Sequence, residues 1–239
     1  MTAILEIEDI HSGYGEVKIL WGVNLEIQTG QLTALVGANG AGKTTLLRTV
    51  MGLIKPSQGE IRFNGTDISR LPAHKKTGLG LVLVPEGRQL FTDMSVAENL
   101  EMGAVPKRAR PGKNANLDKV YELFPRLKER RSQKAGTLSG GEQQMLAIAR
   151  GIMSEPELFI IDELSLGLSP AIALHLFETL LMLKKTGLTL LLVEQNVQMA
   201  LAISDFAYVI SEGRMDLQGP SREVIKNEKV RSAYLGSTA

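Results

Sequence analysis

The sequence predicts an α/β fold: a mainly parallel sheet packed by helices, an antiparallel β layer near the N-terminus, and an inserted α-helical subdomain. Three observations predict it. Short, almost wholly apolar runs at 79–84, 158–161 and 189–193 read as strands buried on both faces, with helical patterns between them. At 23–27 apolar residues instead alternate with Asn24 and Glu26, the mark of a strand buried on one face only. The stretch from 92 to 150 holds no convincing strand.

In chain order, Thr29-Gly30 turns the chain after the alternating strand. Residues 32–36 then form a short apolar strand that runs into Gly37-Ala38-Asn39-Gly40-Ala41-Gly42-Lys43-Thr44. A helix is expected over 43–53. Asn64-Gly65 after Ile61-Arg62-Phe63 is a hairpin signal. With Thr66 it also makes a formal glycosylation sequon, but the turn is the better reading without a secretion signal. Helical patterns lie near 96–103, 117–130, 140–153 and 171–185. The segment Lys107-Arg108-Ala109-Arg110-Pro111-Gly112-Lys113 reads as a solvated loop.

Composition narrows the classes. The 239 residues suit one large domain, or one domain with an inserted subdomain. Apolar residues at 44% and charged residues at 22% are ordinary for a globular chain. A net charge of +1 does not ask for nucleic acid as a partner. The absence of cysteine excludes disulfide, zinc-thiolate and thiol chemistry. The N-terminus lacks a basic segment followed by an apolar core, so no secretory signal is read there. The apolar-rich stretch 171–193 carries His175, Glu178, Lys184 and Lys185, so the chain is not expected to span a membrane by itself.

The first glycine-rich segment lies between strand and helix, the context a phosphate-binding loop needs. Glycines let the backbone approach, and successive N–H groups and a helix N-terminus point at phosphate oxygens. Lys43 reaches the outer phosphates, the Thr44 hydroxyl suits Mg²⁺, and Thr45 continues the site. Leu158-Phe159-Ile160-Ile161-Asp162-Glu163 is an apolar strand ending in two acids, at the edge where such sheets bind ligands. Asp162 suits the Mg²⁺ sphere, and Glu163 is the candidate to orient or deprotonate an attacking water. Leu138-Ser139-Gly140-Gly141-Glu142-Gln143 precedes an amphipathic run. From the residues alone it is a capped helix start with room for an anion.

Together these segments resemble the ATP-binding subunit of ATP-binding-cassette (ABC) transporters, over essentially the whole chain. The phosphate loop, LSGGEQ and the aspartate–glutamate strand end stand in that family's order and spacing. The resemblance implies a P-loop NTPase core of RecA-like type over 1–91 and 151–239, with 92–150 as the helical subdomain carrying the signature. It implies ATP and Mg²⁺ as cofactors. It implies that Ser139, Gly140, Gly141 and Glu142 touch the γ-phosphate of ATP held by the phosphate loop of another subunit. It also implies that Tyr14, in Ser12-Gly13-Tyr14-Gly15, stacks on adenine.

Three positions depart from the common family pattern. In Val84-Pro85-Glu86-Gly87-Arg88, Glu86 takes the place of a glutamine. A carboxylate there can still ligate Mg²⁺ but cannot donate to phosphate. In Leu192-Val193-Glu194-Gln195-Asn196, Gln195 takes the place of a histidine. It can donate to the γ-phosphate but cannot titrate, which places water activation on Glu163. Leu164 also stands where proline is usual after the glutamate, which should loosen that turn.

The segments around Glu86 and Gln195, with Pro125-Arg126-Leu127 and Leu166-Gly167-Leu168-Ser169-Pro170, resemble the second ATPase subunit of bacterial branched-chain amino-acid uptake systems. That resemblance implies two membrane-spanning permease subunits and a second, non-identical ATPase subunit, a homodimer being the alternative. An extracytoplasmic binding protein would take part indirectly. The segment from Glu86 to Met102 would face the membrane subunits at the cytoplasmic face. A urea or amide importer, or a soluble cassette scaffold, are the rival readings.

Overall fold

In a computed structural model of the chain, residues 2–235 are described. The strands are β1 (Ala3–Tyr14), β2 (Val17–Gln28), β3 (Leu32–Val36), β4 (Gln58–Phe63), β5 (Thr66–Asp67), β6 (Leu81–Val84), β7 (Leu158–Asp162), β8 (Thr189–Glu194), β9 (Phe206–Ser211) and β10 (Arg214–Pro220). The main helices are α1 (Lys43–Val50), α2 (Ala73–Gly78), α3 (Val96–Gly103), α4 (Lys113–Leu123), α5 (Pro125–Glu129), α6 (Gly140–Ile152), α7 (Pro170–Lys185) and α8 (Val197–Ile203).

The strands form two sheets. One is antiparallel, in the order β2-β1-β4-β5. The other runs β10-β9-β3-β8-β7-β6, parallel from β9 to β6 with β10 antiparallel at its edge. The sheet is therefore mixed, and the parallel part is the part that matters for the site. Val36 pairs with Glu194, Asp162 with Val193 and Val84 with Ile161. Parallel pairing brings the C-terminal ends of β3, β6, β7 and β8 to one edge of the sheet, where ligands of such folds sit.

The central strands are buried on both faces, as their apolar runs require. Leu35, Ile160, Leu191 and Val193 face the antiparallel sheet and α1. Ala34, Phe159, Ile161 and Leu192 face the helical side, in one core cluster with Val96, Leu100, Val120 and Leu127. The helices between β6 and β7 thus share the core of the parallel sheet.

Several local expectations change. The helix after the phosphate loop ends at Val50, because Gly52 turns the chain at φ 77. The expected helix over 117–130 is two, broken at Phe124 ahead of Pro125, since the residue before proline avoids the α region. The strand expected over 79–84 begins at Leu81, while Leu79 caps α2 and is exposed. The basic segment 107–113 is not a solvated loop. Ala109 is fully buried, Arg108 donates to the Leu79 carbonyl at 2.8 Å and pairs with Glu157 at 3.0 Å, and Lys113 pairs with Glu101 at 2.9 Å. The Asn64-Gly65 hairpin forms with both residues left-handed, at φ 50 and φ 73.

Candidate nucleotide site

The loop from Gly37 to Gly42 joins the C-terminal end of β3 to α1, and with its neighbours frames a cavity of about 290 Å³. Asn39, Gly40, Gly42, Lys43, Thr44 and Thr45 line it, together with Ile19, Glu86, Glu163 and Gln195. Gly40 at φ 78 and Gly42 at φ 111 hold conformations that side chains resist. Gly37 has no room for a side chain, since a Cβ there would sit 2.3 Å from the Ile210 carbonyl oxygen. Ala41 packs into the core behind the loop.

Lys43 is only 5% exposed. Its Nζ donates to the carbonyls of Gly37 at 2.8 Å and Ala38 at 3.2 Å, and lies 3.5 Å from Glu163 Oε1. The loop carbonyls and the candidate base therefore hold the amine at the mouth of α1, where a phosphate would meet it.

Around Lys43 the sheet edge gathers negative charge. Asp162 ends β7 and is 3% exposed. Burial, and then the charges of Glu163 and Glu86, push its pKa up to about 6 against the pull of Lys43. Its Oδ1 is buried without a hydrogen-bond partner. An unmet buried carboxylate oxygen is costly and marks a place for a cation. Thr44, Glu86 and Asp162 line one adjoining cavity of about 360 Å³. Hydroxyl and carboxylate oxygens are the hard donors that Mg²⁺ takes, so these residues fit that ion.

The segment after β7 turns sharply. Glu163 sits at φ 52, in the left-handed region, and its N–H donates to the Val193 carbonyl at 2.9 Å. Leu164 is fully buried, and Ser165 donates from N–H and hydroxyl to Glu194 at 3.0 and 3.2 Å. The turn that lacks proline is thus packed and hydrogen-bonded into place rather than left loose. Burial raises the Glu194 pKa, while the Ser165 hydrogen bonds oppose that rise.

The signature segment lies elsewhere. Ser139 caps α6 in a reciprocal capping box: its hydroxyl accepts from the Glu142 N–H, and the Glu142 carboxylate accepts from the Ser139 N–H and hydroxyl at 2.9 and 2.8 Å. Glu142 also pairs with Arg130 at 2.9 Å. Ser139 and Gly140 are exposed and Gly141 is buried. None of Ser139, Gly140, Gly141 and Glu142 lines the phosphate-loop cavity. Tyr14 does not line it either. It ends β1 at 44% exposure, with its hydroxyl accepting from Arg48 Nη1 at 3.0 Å.

The fold agrees with what comparison finds. Residues 20–165 match the family model described as ABC transporter. The chain belongs to the ABC transporter family. It is 44% identical to the high-affinity branched-chain amino acid transport ATP-binding protein BraG of Pseudomonas aeruginosa, over 98% of this chain and 100% of that one. It is 38% identical to the probable branched-chain amino acid transport ATP-binding protein LivF of Archaeoglobus fulgidus, over 98% and 99%. Among solved structures, a nucleotide-free ATP-binding cassette from an ABC transporter superposes with a TM-score of 0.84 at 28% identity, over 96% of this chain and 97% of that one. The ADP conformation of the cassette MJ1267 gives 0.84 at 29%, over 99% and 100%. The chain is accordingly an ATP-binding-cassette ATPase. Among the described residues no helix is long and apolar enough to cross a membrane.

Sequence reasoning missed three residues of the site's surroundings. Ile19 lines the cavity. Arg48 holds Tyr14. Glu194 holds the turn after β7. A carboxylate closing the apolar run 189–193 was the readable signal for Glu194.

Proposed function

We propose that this cassette is the ATP-hydrolysing subunit of an importer of branched-chain, or other hydrophobic, amino acids. The near-complete coverage of BraG at 44% identity is the observation that carries the cargo. On this reading the cassette lies at the cytoplasmic face of the membrane, bound to two permease subunits, with an extracytoplasmic binding protein delivering the substrate. The groove between the sheet and α3 supports that contact: Phe91, Met102 and Val105 are exposed apolar side chains on its wall.

The chemistry follows from the converged edge. The loop N–H groups and Lys43 hold the phosphates, and the Lys43 amine exchanges its loop carbonyls for phosphate oxygens. Thr44, Asp162 and Glu86 would hold Mg²⁺, which would supply charge neutralisation for the phosphates. Glu163 takes the proton of the attacking water, work worth about 10²–10⁴-fold. Gln195 donates an N–H toward the γ-phosphate, a fixed donor that does not titrate. Tyr14 stacks on adenine.

Ser139, Gly140, Gly141 and Glu142 stand outside this chain's own cavity, which supports their serving ATP held by a second ATPase subunit. The helical stretch 92–150 is then the lobe that carries them to the partner. The experiment is purification from the native membrane with ATPase measured in liposomes. Two multi-spanning subunits and stimulation by leucine-loaded binding protein are expected. Stimulation by urea alone would move the cargo, and recovery of soluble partners only would refute transport.

A further inference from the structure

One buried carboxylate takes no part in the steps above. Glu194, the last residue of β8, is 1% exposed. Its Oε1 accepts the Ser165 N–H at 3.0 Å and its Oε2 the Ser165 hydroxyl at 3.2 Å. The Asn196 N–H lies 3.5 Å from Oε2. Ser165 follows Glu163 by two residues, and Asn196 follows Gln195 directly. One side chain therefore contacts both segments that bring side chains to the nucleotide cavity.

The conformation it holds is a costly one. Glu163 is left-handed at φ 52, which disfavours a non-glycine residue by about 1–2 kcal/mol. Leu164 leaves the turn without a ring-fixed φ. Three hydrogen bonds tie the turn to the end of β8: Glu163 N–H to the Val193 carbonyl, and the two from Ser165 to Glu194. Two of the three end on Glu194. Burying a carboxylate is itself unfavourable, and an apolar side chain would fill the space without that cost. What the carboxylate provides, and an apolar group cannot, is a pair of acceptors for Ser165.

We infer that Glu194 is a positioning residue for hydrolysis. It fixes Ser165, and through it the Glu163 carboxylate, at the phosphate loop beside Lys43. It also keeps the Gln195 segment in register with that turn. This inference rests on Glu163 acting as the base.

The test is steady-state ATP hydrolysis by the assembled complex. Glu194→Ala lowers kcat by about 10- to 100-fold, the size expected for a misplaced catalytic group, with KM for ATP within about threefold because the phosphate loop and Lys43 keep their own bonds. Glu194→Gln keeps an acceptor for the Ser165 N–H and restores kcat to within about fivefold of wild type. Ser165→Ala, a partly exposed site that tolerates truncation, costs about threefold in kcat. Added to Glu194→Ala it costs nothing more, because its partner is already gone.

Wild-type kcat in Glu194→Ala would overturn the inference. So would losses that multiply in the double variant, or equal losses of kcat and melting temperature in the Ala and Gln variants alike. If Glu194→Ala does not fold, the Gln and Ser165→Ala variants still decide. Glu163→Gln, run alongside, separates the premises. Full turnover there removes the base itself. Lost turnover there with normal Glu194→Ala removes only the positioning role.

Discussion

Arg88 is the place where local strain and a tether between two motifs coincide. Gly87, Arg88 and Gln89 are left-handed in succession, at φ 80, 65 and 52. Glycine bears this freely, but Arg88 and Gln89 bear it at about 1 kcal/mol or more each. The strain is held by contacts with α6, the helix that begins at the signature. Arg88 Nη1 donates to Gln143 Oε1 at 2.8 Å, and Arg150 Nη2 donates to the Arg88 carbonyl at 3.2 Å. Glu86, which lines the phosphate-loop cavity, lies two residues upstream, so the tether links that cavity wall to the helix capped by Ser139.

Two substitutions separate these effects. Arg88→Ala loses the side-chain bond and keeps the strained backbone. A charged hydrogen bond is worth about 1.5–3 kcal/mol, and at this half-buried position about 1 kcal/mol remains. Arg88→Gly loses the same bond and sheds about 1 kcal/mol of strain, so its stability stays within about 0.5 kcal/mol of wild type. Both should lower ATP turnover more than ATP affinity, since neither touches the phosphate loop. Urea denaturation followed by circular dichroism gives the stabilities, and a coupled phosphate-release assay the turnover. Equal destabilisation of the two variants would refute the strain. Unchanged turnover in both would refute the tether.

Other outcomes follow from the same structure. Tyr14→Ala should weaken nucleotide binding about tenfold, the size of a lost base–aromatic stack, while Tyr14→Phe stays within about twofold; titration with a fluorescent ATP analogue checks this. Gly103→Ala should destabilise the chain by about 1–3 kcal/mol, because a Cβ there would sit 2.2 Å from the Arg150 carbonyl oxygen of α6; thermal unfolding reads it. Lys76 is fully buried against the Val50 carbonyl, and burial lowers its pKa from 10.5 to about 8. Between those values the unfolded chain holds a proton that the folded chain has shed, so this residue's contribution to stability rises with pH, by about 3 kcal/mol in all. The stability difference between wild type and Lys76→Met should track that rise, and a flat difference would contradict it.

The parts of the fold read most readily were those where one local pattern dominates. Apolar runs marked the strands of the parallel sheet, and the glycines and lysine after residue 36 marked the loop at its edge. The ends of elements were harder, because they depend on single residues such as Gly52 and Pro125 acting against a continuing periodicity. The docking of 107–113 was not legible at all. Its charges look like a solvated face until Glu157, some fifty residues on, is brought beside Arg108 by the fold. The candidate site residues were recognisable by type, but the bonds that hold them in place were not. The carboxylate closing the run 189–193 was readable as a residue, but the bonds of Glu194 to Ser165 and of Arg88 to Gln143 join partners distant in sequence and leave no spacing to read.

On the proposed function, ATP is hydrolysed between two cassettes, with Glu163 activating water. Turnover and assembly state of Glu163→Gln in the presence of ATP and Mg²⁺ test it most directly. An ATP-bound pair of cassettes that persists through size exclusion is expected, with turnover lowered by about 10²-fold or more. Turnover near that of wild type, or a cassette that stays single with ATP bound, would contradict it.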